Sequence, residues 1–253
     1  MRYPVYVPSK GRYEKCRTAE WLTGAGIPHS LVVEEPEADE YSRRYTDSEV
    51  LVLPFCDQGV TASRNWIKEH ATATGAKRHW QIDDDMYGIS ELRHRKRIPC
   101  DDPAHILGLL EGFVDRYSNV ALAGIRTAVW GAYSSAPFSL NTMVYGMYMV
   151  LNELPYRWRG LGEDTDYALQ VLSGGWCTIL FNQYQFRTVT TGAATGGNTP
   201  YYESDGRLKR ARELERLWPG LVRVERADGK PRHNLASVWR KFDTKLQKVT
   251  ADD

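Results

Sequence analysis

Histidine and cysteine are scarce in this chain of 253 residues, with six copies of one and four of the other. His29, His70, His79, His94, His105 and His233 are scattered, with neither H-x-H nor H-E-x-x-H spacing, which excludes the usual histidine-built metal centres. Cys16, Cys56, Cys100 and Cys177 lie far apart without a C-x-x-C pair. That argues against a zinc module or a disulfide framework and suits buried filler in a reducing cytoplasm. No stretch approaches the roughly 18 to 20 uninterrupted apolar residues of a spanning helix. The opening Met1–Arg12 runs into a strand-like pattern without a signal-peptide core, so a cytoplasmic protein is expected. Net charge is only +1, so binding to a polyanion has to come from a local patch.

With 42% hydrophobic and 26% charged residues, a single α/β domain is the simplest expectation. Strand-like runs at 3–7, 30–33, 50–53 and 79–82 alternate with amphipathic runs at 14–24, 38–45 and 61–74. This alternation predicts a mainly parallel central sheet covered by helices on both faces, with ligands beyond the carboxyl ends of its strands. The residues following those strands are Pro8–Arg12, Glu34-Glu35, Cys56–Gly59 and Asp83-Asp84-Asp85, so polar, glycine-containing and acidic chemistry collects on one rim. The second half predicts helices at 104–117, 164–173 and 208–217 and strands at 120–123 and 176–180. It also holds a methionine- and tyrosine-rich stretch at 141–150. A glycine-rich segment, Thr190–Thr199, predicts a mobile loop.

The sharpest local feature is Gln81-Ile82-Asp83-Asp84-Asp85-Met86. Packed carboxylates repel unless something positive neutralises them, and a hard divalent cation with oxygen ligands is the usual solution. Asp83 and Asp85 would point the same way if strand geometry continued. A solvated acidic turn or helix cap is the plainer alternative.

Gly59-x-x-x-x-Arg64-Asn65, the helix after it and the strand ending in three aspartates resemble the core of metal-dependent nucleotide-sugar glycosyltransferases of the GT-A fold. Downstream, Gly162-Glu163-Asp164-Thr165-Asp166 resembles the E-D motif of their inverting members. The resemblance covers roughly residues 3 to 190. Within it, Val7-Pro8-Ser9-Lys10-Gly11-Arg12, Val33-Glu34-Glu35-Pro36-Glu37 and Trp80–Met86 look most like phage-type glycosyltransferases associated with TET/JBP dioxygenases, a group implicated in glycosylating 5-hydroxymethylpyrimidines in DNA.

The resemblance implies a GT-A, Rossmann-like domain over 1–253, with a nucleotide-sugar-binding half at 1–90 and an acceptor-binding half at 91–253. It implies that Asp85 binds Mn²⁺ or Mg²⁺, that Asp83 lies near the ribose or shares the metal, and that His233 completes the metal shell. Pro8, Ser9, Arg12, Glu35, Arg64 and Asp84 would border a UDP-sugar donor. Glu35 would accept from a uracil N–H and Arg64 would contact phosphate. An exposed tail histidine is the plainer reading of His233, and pairing with a carboxylate that of Arg64. Asp164 becomes the general base toward the acceptor hydroxyl, with Glu163 and Asp166 as neighbouring competitors. Helix capping is the alternative for the whole acidic run.

For the acceptor, 207–248 carries thirteen Lys and Arg against five Asp and Glu, and Arg93–Arg97 is a second basic cluster. Such patches can track phosphates, although solvated helix faces often look the same. A base within a duplex would have to be extruded and stacked, for which Trp130, Tyr133, Tyr145, Tyr148, Tyr156 and Trp158 are available. The expected activity is inverting transfer of a hexose, glucose from UDP-glucose, to 5-hydroxymethylcytosine in DNA, with the Gly192–Gly197 loop closing over the donor. Hydroxymethyluracil, a polysaccharide, lipid or protein acceptor, and a non-catalytic DNA-binding module are the alternatives.

Overall fold

A computed structural model describes residues 1–128, 134–189, 206–227, 230–235 and 237–250, with the side chains of 226–227 and 230–234 left aside. The first half alternates β1 (Val5–Pro8), α1 (Arg17–Gly24), β2 (Ser30–Glu34), α2 (Ala38–Arg44), β3 (Glu49–Leu53), α3 (Gly59–Ala73) and β4 (Arg78–Ile82). A hairpin of β5 (Met86–Arg93) and β6 (Lys96–Pro99) follows, then α4 (Pro103–Val114). Next come β7 (Val120–Thr127), β8 (Phe138–Leu140), β9 (Met147–Leu151), α5 (Glu163–Ser173) and β10 (Cys177–Thr188). The chain continues through α6 (Gly206–Leu217) into a separate hairpin of β11 (Arg223–Ala227) and β12 (Lys230–Asn234).

The main sheet runs β3-β2-β1-β4-β9-β7-β10-β5-β6, with β8 beside β10. β1, β2, β3 and β4 pair in parallel, and so do β7 and β10. β9 lies antiparallel between β4 and β7, so both of its neighbours point the same way. The expected parallel frame is therefore present, interrupted by β9 and by the antiparallel β5–β6 hairpin. The methionine-rich stretch supplies β9, wholly buried.

Alternate strand residues feed opposite faces, as the two-residue strand period requires. Val5, Val7, Leu31, Val33, Met147 and Met149 pack with residues of α1, α2 and α4. Tyr6 and Val32 pack with Ile67 and Ala71 of α3, and Tyr148 and Val150 with Tyr167, Ala168 and Val171 of α5. Helices thus cover both faces. The order departs from β1 toward β2 and β3 on one side and toward β4 on the other, which makes the β1–β4 boundary the crevice where such sheets take ligands. α3 leads into β4 and α5 into β10, so both helices begin at the rim where β1 and β4 end.

The four cysteines are unpaired, with Cys16 and Cys177 buried as expected and Cys56 exposed on the loop after β3. Among the described residues no helix is long and apolar enough to cross a membrane.

His79, in the middle of β4, is fully buried. Its Nδ1 meets Asn152 Oδ1 at 2.5 Å, and its Nε2 faces the amide nitrogen of Gln81 at 2.9 Å. Asn152 donates its own amide to the Ala76 carbonyl, which fixes its oxygen toward the ring. Only the neutral ring, with its proton on Nδ1, satisfies both partners. Burial pushes its pKa down to about 4. A histidine depressed in the folded state contributes full stability above its unfolded value and loses it as pH falls toward the folded one. The expected loss between neutral pH and pH 4 is about 3 kcal/mol. Urea unfolding of the wild type and of His79→Asn across that range checks it: the variant is expected to be weaker at neutral pH and flatter with pH. Parallel pH profiles would contradict the assignment.

Candidate active site at the carboxyl ends of β1 and β4

β4 ends at Ile82, and Asp83 to Asp85 turn the chain into β5. The start of α1 pins this turn: Thr18 Oγ1 donates to the Asp83 carbonyl (2.6 Å) and accepts from the Met86 amide (2.9 Å). Asp84 faces inward and is 9% exposed. Its carboxylate accepts from Ser9 Oγ (2.6 Å) and pairs with the Arg12 guanidinium, while Ser9 Oγ also meets the Tyr41 hydroxyl (2.7 Å). Burial lifts the Asp84 carboxyl to about 6, against the pull of Arg12 and Ser9. Ser9, Arg12 and Asp84, expected to border a nucleotide, are thus bonded to one another.

Asp83 and Asp85 stay partly exposed. Burial raises the Asp85 carboxyl, and the charge of Asp83 raises it further. Among the described residues Asp85 has no ion pair.

The neighbouring loops are tied together by acids. Lys10 Nζ bridges Glu34 (2.7 Å) and Asp57 (2.5 Å), the Asp57 amide donates to Glu34 Oε1 (3.0 Å), and the Gly11 amide reaches both oxygens of Glu37 (2.9 Å). Pro8, half-buried, ends β1, and Glu35 remains exposed on the short turn Glu35–Glu37.

Arg64 joins the two acidic motifs. It lies inside α3, not on the turn before it, and is 2% exposed. Its Nη2 donates to Asp83 Oδ1 (2.9 Å) and stands 3.8 Å from Asp164 Oδ1, while its Nε is 3.7 Å from Glu163 Oε1. The guanidinium also sits 5.4 Å from the Tyr148 ring centre and 3.4 Å from Gln81 Oε1. Burial works against its charge, but the oxygens of Tyr148, Asp83, Asp164 and Glu163 hold it fully protonated. The expected phosphate contact gives way to a carboxylate cage. Glu163 and Asp164 form the first turn of α5, where the helix dipole favours negative charge, and no side chain caps that helix. Asp164 Oδ1 is buried without a hydrogen-bond partner among the described residues. Its carboxyl is raised by burial and by Glu163, against Arg64 and Arg210.

The segment leading to α5 is held along one face of α3 at helical spacing. Thr61 Oγ1 donates to the Gly160 carbonyl (3.0 Å), and Asn65 both donates to the Trp158 carbonyl (2.9 Å) and accepts from its amide (3.0 Å). Lys68 Nζ donates to the carbonyls of Leu154 and Tyr156, and burial lowers its pKa to about 8. Asp166 is wholly buried, bidentate to Arg159 (3.0 and 2.7 Å) and bonded to Trp218 Nε1 (2.9 Å), a structural post and not a capping residue.

The structure thus brings together Asp83, Arg64, Glu163 and Asp164, with Asp85 beside Asp83. His233 lies within β12, opposite Val224, where a tail after the last strand was expected; its side chain falls outside the described residues. The Thr190–Thr199 loop, Trp130 and Tyr133 also lie outside them. Tyr148 and Trp158, proposed as stacking surfaces, are core residues at 1% and 2% exposure, and Tyr145 packs edge-on against Phe186. The partners missed by sequence are Asn65, Lys68, Gln81 and Arg210. The Arg64-Asn65 pair offered the one available signal, since both residues belong to the G-x-x-x-x-R-N motif. No group of three or more His, Cys, Asp or Glu placed to hold a metal ion by themselves occurs among the described residues.

The model of the TET-Associated Glycosyltransferase family matches residues 3–197. No curated protein matches the chain significantly. Among solved structures, GalNAc-T7 with UDP, GalNAc and Mn²⁺ is 9% identical at a TM-score of 0.49, over 77% of this chain and 46% of that one. This chain therefore spans about half the length of GalNAc-T7. A provisionally assigned nucleotide-diphospho-sugar transferase from Desulfovibrio desulfuricans G20 is 10% identical at 0.46, over 86% and 98%. HddC from Yersinia pseudotuberculosis, complexed with GMP-PN, is 11% identical at 0.41, over 74% and 93%.

Removing the central cation should leave three acids facing one another in a poorly hydrated site. Arg64→Met is expected to cost about 3 to 5 kcal/mol. The deficit should shrink as pH falls and the carboxylates protonate. Denaturant unfolding of wild type and variant from pH 8 to pH 4 measures both. A loss below about 1 kcal/mol that ignores pH would show that the cage does not depend on its cation.

Proposed function

The chain belongs to the TET-associated glycosyltransferase family, and from that premise we propose that it moves a hexose, glucose from UDP-glucose, onto 5-hydroxymethylcytosine in DNA with inversion at the anomeric carbon. The observation that carries this reading is the meeting of the triple-aspartate turn and the Glu163-Asp164 pair around Arg64, at the crevice between β1 and β4.

A divalent ion fits the turn. Asp83 and Asp85 are hard oxygen donors, and Asp85, whose carboxyl is raised by burial and then by Asp83, forms no ion pair among the described residues. Mg²⁺ and Mn²⁺ sites of this kind use one or two carboxylates and draw their remaining ligands from substrate phosphate and water, so a larger protein cluster is not required. When bound, such an ion supplies Lewis-acid stabilisation to the departing diphosphate.

The chain's own residues do the rest. Asp164 takes the proton from the hydroxymethyl oxygen as that oxygen attacks the anomeric carbon. The bond from that carbon to the diphosphate breaks on the opposite face, and the electron pair leaves with UDP. A carboxylate made more basic by burial and by Glu163 suits proton abstraction from an alcohol, which is a poor nucleophile at neutral pH. Arg64 holds Asp164 and Asp83 on one nitrogen, Nη2, of its guanidinium, so that base and donor site share a fixed spacing. Glu163, on the Nε side of that cation, orients sugar hydroxyls. The Ser9–Asp84–Arg12 group holds the β1 loop rigid, and exposed Glu35 accepts from the uracil N–H.

Incubation with hydroxymethylated DNA, Mn²⁺ and a panel of nucleotide sugars, followed by digestion to nucleosides and mass spectrometry, tests the reading. A hexose-sized increase on hydroxymethylcytosine is expected, abolished by a chelator and restored by Mn²⁺. Asp164→Asn and Asp85→Asn are expected to lower turnover by roughly 10²-fold or more. No increase on any hydroxymethylated base, beside turnover of another acceptor, would sink the DNA assignment. An active Asp164→Asn enzyme would sink the base assignment.

A further inference from the structure

Helix α6 lies beyond the part of the chain that the family model matches, yet it packs directly on the first turn of α5. A Cβ on Gly162 would meet Leu214 Cγ at 2.7 Å, and one on Gly160 would meet the Glu213 carboxyl carbon at 2.8 Å. Glu213 Oε2 accepts from the Leu161 amide at 2.8 Å, three residues before Asp164. Glu215 Oε1 accepts from the Val224 amide at 3.1 Å. Both acids of the helix are therefore engaged by backbone amides.

Its cations are not. Arg207, Lys209, Arg210, Arg212 and Arg216 form no ion pair or hydrogen bond with any described residue. Lys209, Arg212 and Arg216 are exposed and, at i, i+3 and i+7, fall on one outward stripe about 10 Å long. Arg210 lies on a different flank, one turn before Glu213 and so over the same side of the helix, toward the Gly160–Asp164 segment. It is half-buried, its Nε is buried without a partner among the described residues, and its charge acts on Asp164. An orphaned guanidinium beside a site, continued outward by a cationic stripe, fits a strand of phosphodiesters that enters the site.

We propose that α6 grips the acceptor strand, with Arg210 holding the phosphate of the reacting nucleotide and Lys209, Arg212 and Arg216 following the backbone away from it. This rests on the reading of DNA as the acceptor. The hydroxymethyl group and its nearest phosphate belong to one nucleotide, so a cation next to Asp164 stands where that phosphate falls.

Fluorescence anisotropy with the full chain and a short labelled duplex carrying one 5-hydroxymethylcytosine, titrated with KCl from roughly 50 to 300 mM, measures the number of phosphate contacts. Lys209→Ala, Arg212→Ala, Arg216→Ala and Arg210→Gln are each expected to reduce the log–log salt slope by about one and the triple alanine variant by about 2.7. The triple variant should bind at least tenfold more weakly at the low-salt end, whereas exchanging Lys for Arg and Arg for Lys on the stripe keeps the slope. Lys96→Ala, in the other basic run, serves as the comparison and should leave it unchanged. Unaltered slopes in the α6 variants of an enzyme that still glycosylates DNA would overturn this inference alone. The same holds for weaker binding of UDP and Mn²⁺ by Arg210→Gln with DNA binding intact. A wild type that shows no salt-dependent affinity for the duplex and no transfer to it would overturn both readings.

Discussion

The guanidinium of Arg64 is the constraint from which the rest of the site follows. Placing a cation at 2% exposure against the sheet is unfavourable by several kcal/mol unless anions come to it. Here they come from two distant stretches of the chain: Asp83 from the end of β4, Glu163 and Asp164 from the start of α5. Topology makes the meeting possible. α3 and α5 each lead into a strand of the same direction, so both begin at the same rim, and a charged residue near the start of either helix is brought to the mouth of the crevice. Arg64 is also bracketed from below by Gln81, whose amide nitrogen donates both to the Arg64 carbonyl and to the neutral ring of His79. The order of the buried polar groups of β4 thus passes into the orientation of the cation.

Strand geometry ends at Ile82, and burial and partners distinguish the three successive aspartates of the turn that follows. The middle one turns inward, pairs with Arg12 and accepts a hydrogen bond from Ser9, whose hydroxyl also meets that of Tyr41. The outer two stay partly exposed. One of them has Arg64, and the other forms no ion pair among the described residues, its carboxyl raised by burial and by Asp83 against Thr188 and Arg12. Three acids in a row are thereby resolved into a buried pair with Arg12, a pair shared with Arg64 and one acid outside any ion pair among the described residues, the position at which the proposed cation would gain the most.

Much of this was legible in the chain. Alternation of apolar and amphipathic runs gave the seven elements of the first half to within about three residues, because each strand there is short, apolar and closed by Gly, Pro or acidic residues. The two acidic motifs were visible as local strings. Their meeting was not, since it depends on β9 slipping antiparallel between β4 and β7, and nothing in Met147–Leu151 announces its direction. The β5–β6 hairpin was hidden behind Arg93–Lys96, which reads as a solvated charge run while in fact turning through positive φ at His94 and Arg95. The mutual bonding of Ser9, Arg12 and Asp84 was hidden for a related reason: residues on a binding rim and residues that brace the rim have the same composition. Lys68 and Asn65 escaped notice because their partners are backbone groups, which carry no sequence signature.

The segment after the family-matched region shows how the two sides of the crevice differ in origin. The side proposed to take the donor is built from β1 to β4 and the acidic turn. The Asp164 side leans on later chain. Asp166, at the foot of α5, accepts from Trp218 just past α6, and Leu169 packs with Leu214, Val222 and Val238. Beyond them the chain returns across the sheet: Asn141 donates to the carbonyls of Phe242 and Thr244, Asn119 donates to that of Lys245, and the Gln247 amide donates to Asn119 Oδ1. The first turn of α5 is therefore set on one side by α3, whose contacts lie within the shared family core, and on the other by α6, whose contacts do not. On the function proposed above, a proton acceptor held from both sides keeps its spacing to the donor site through Arg64, while the later segment supplies the surface that meets the acceptor.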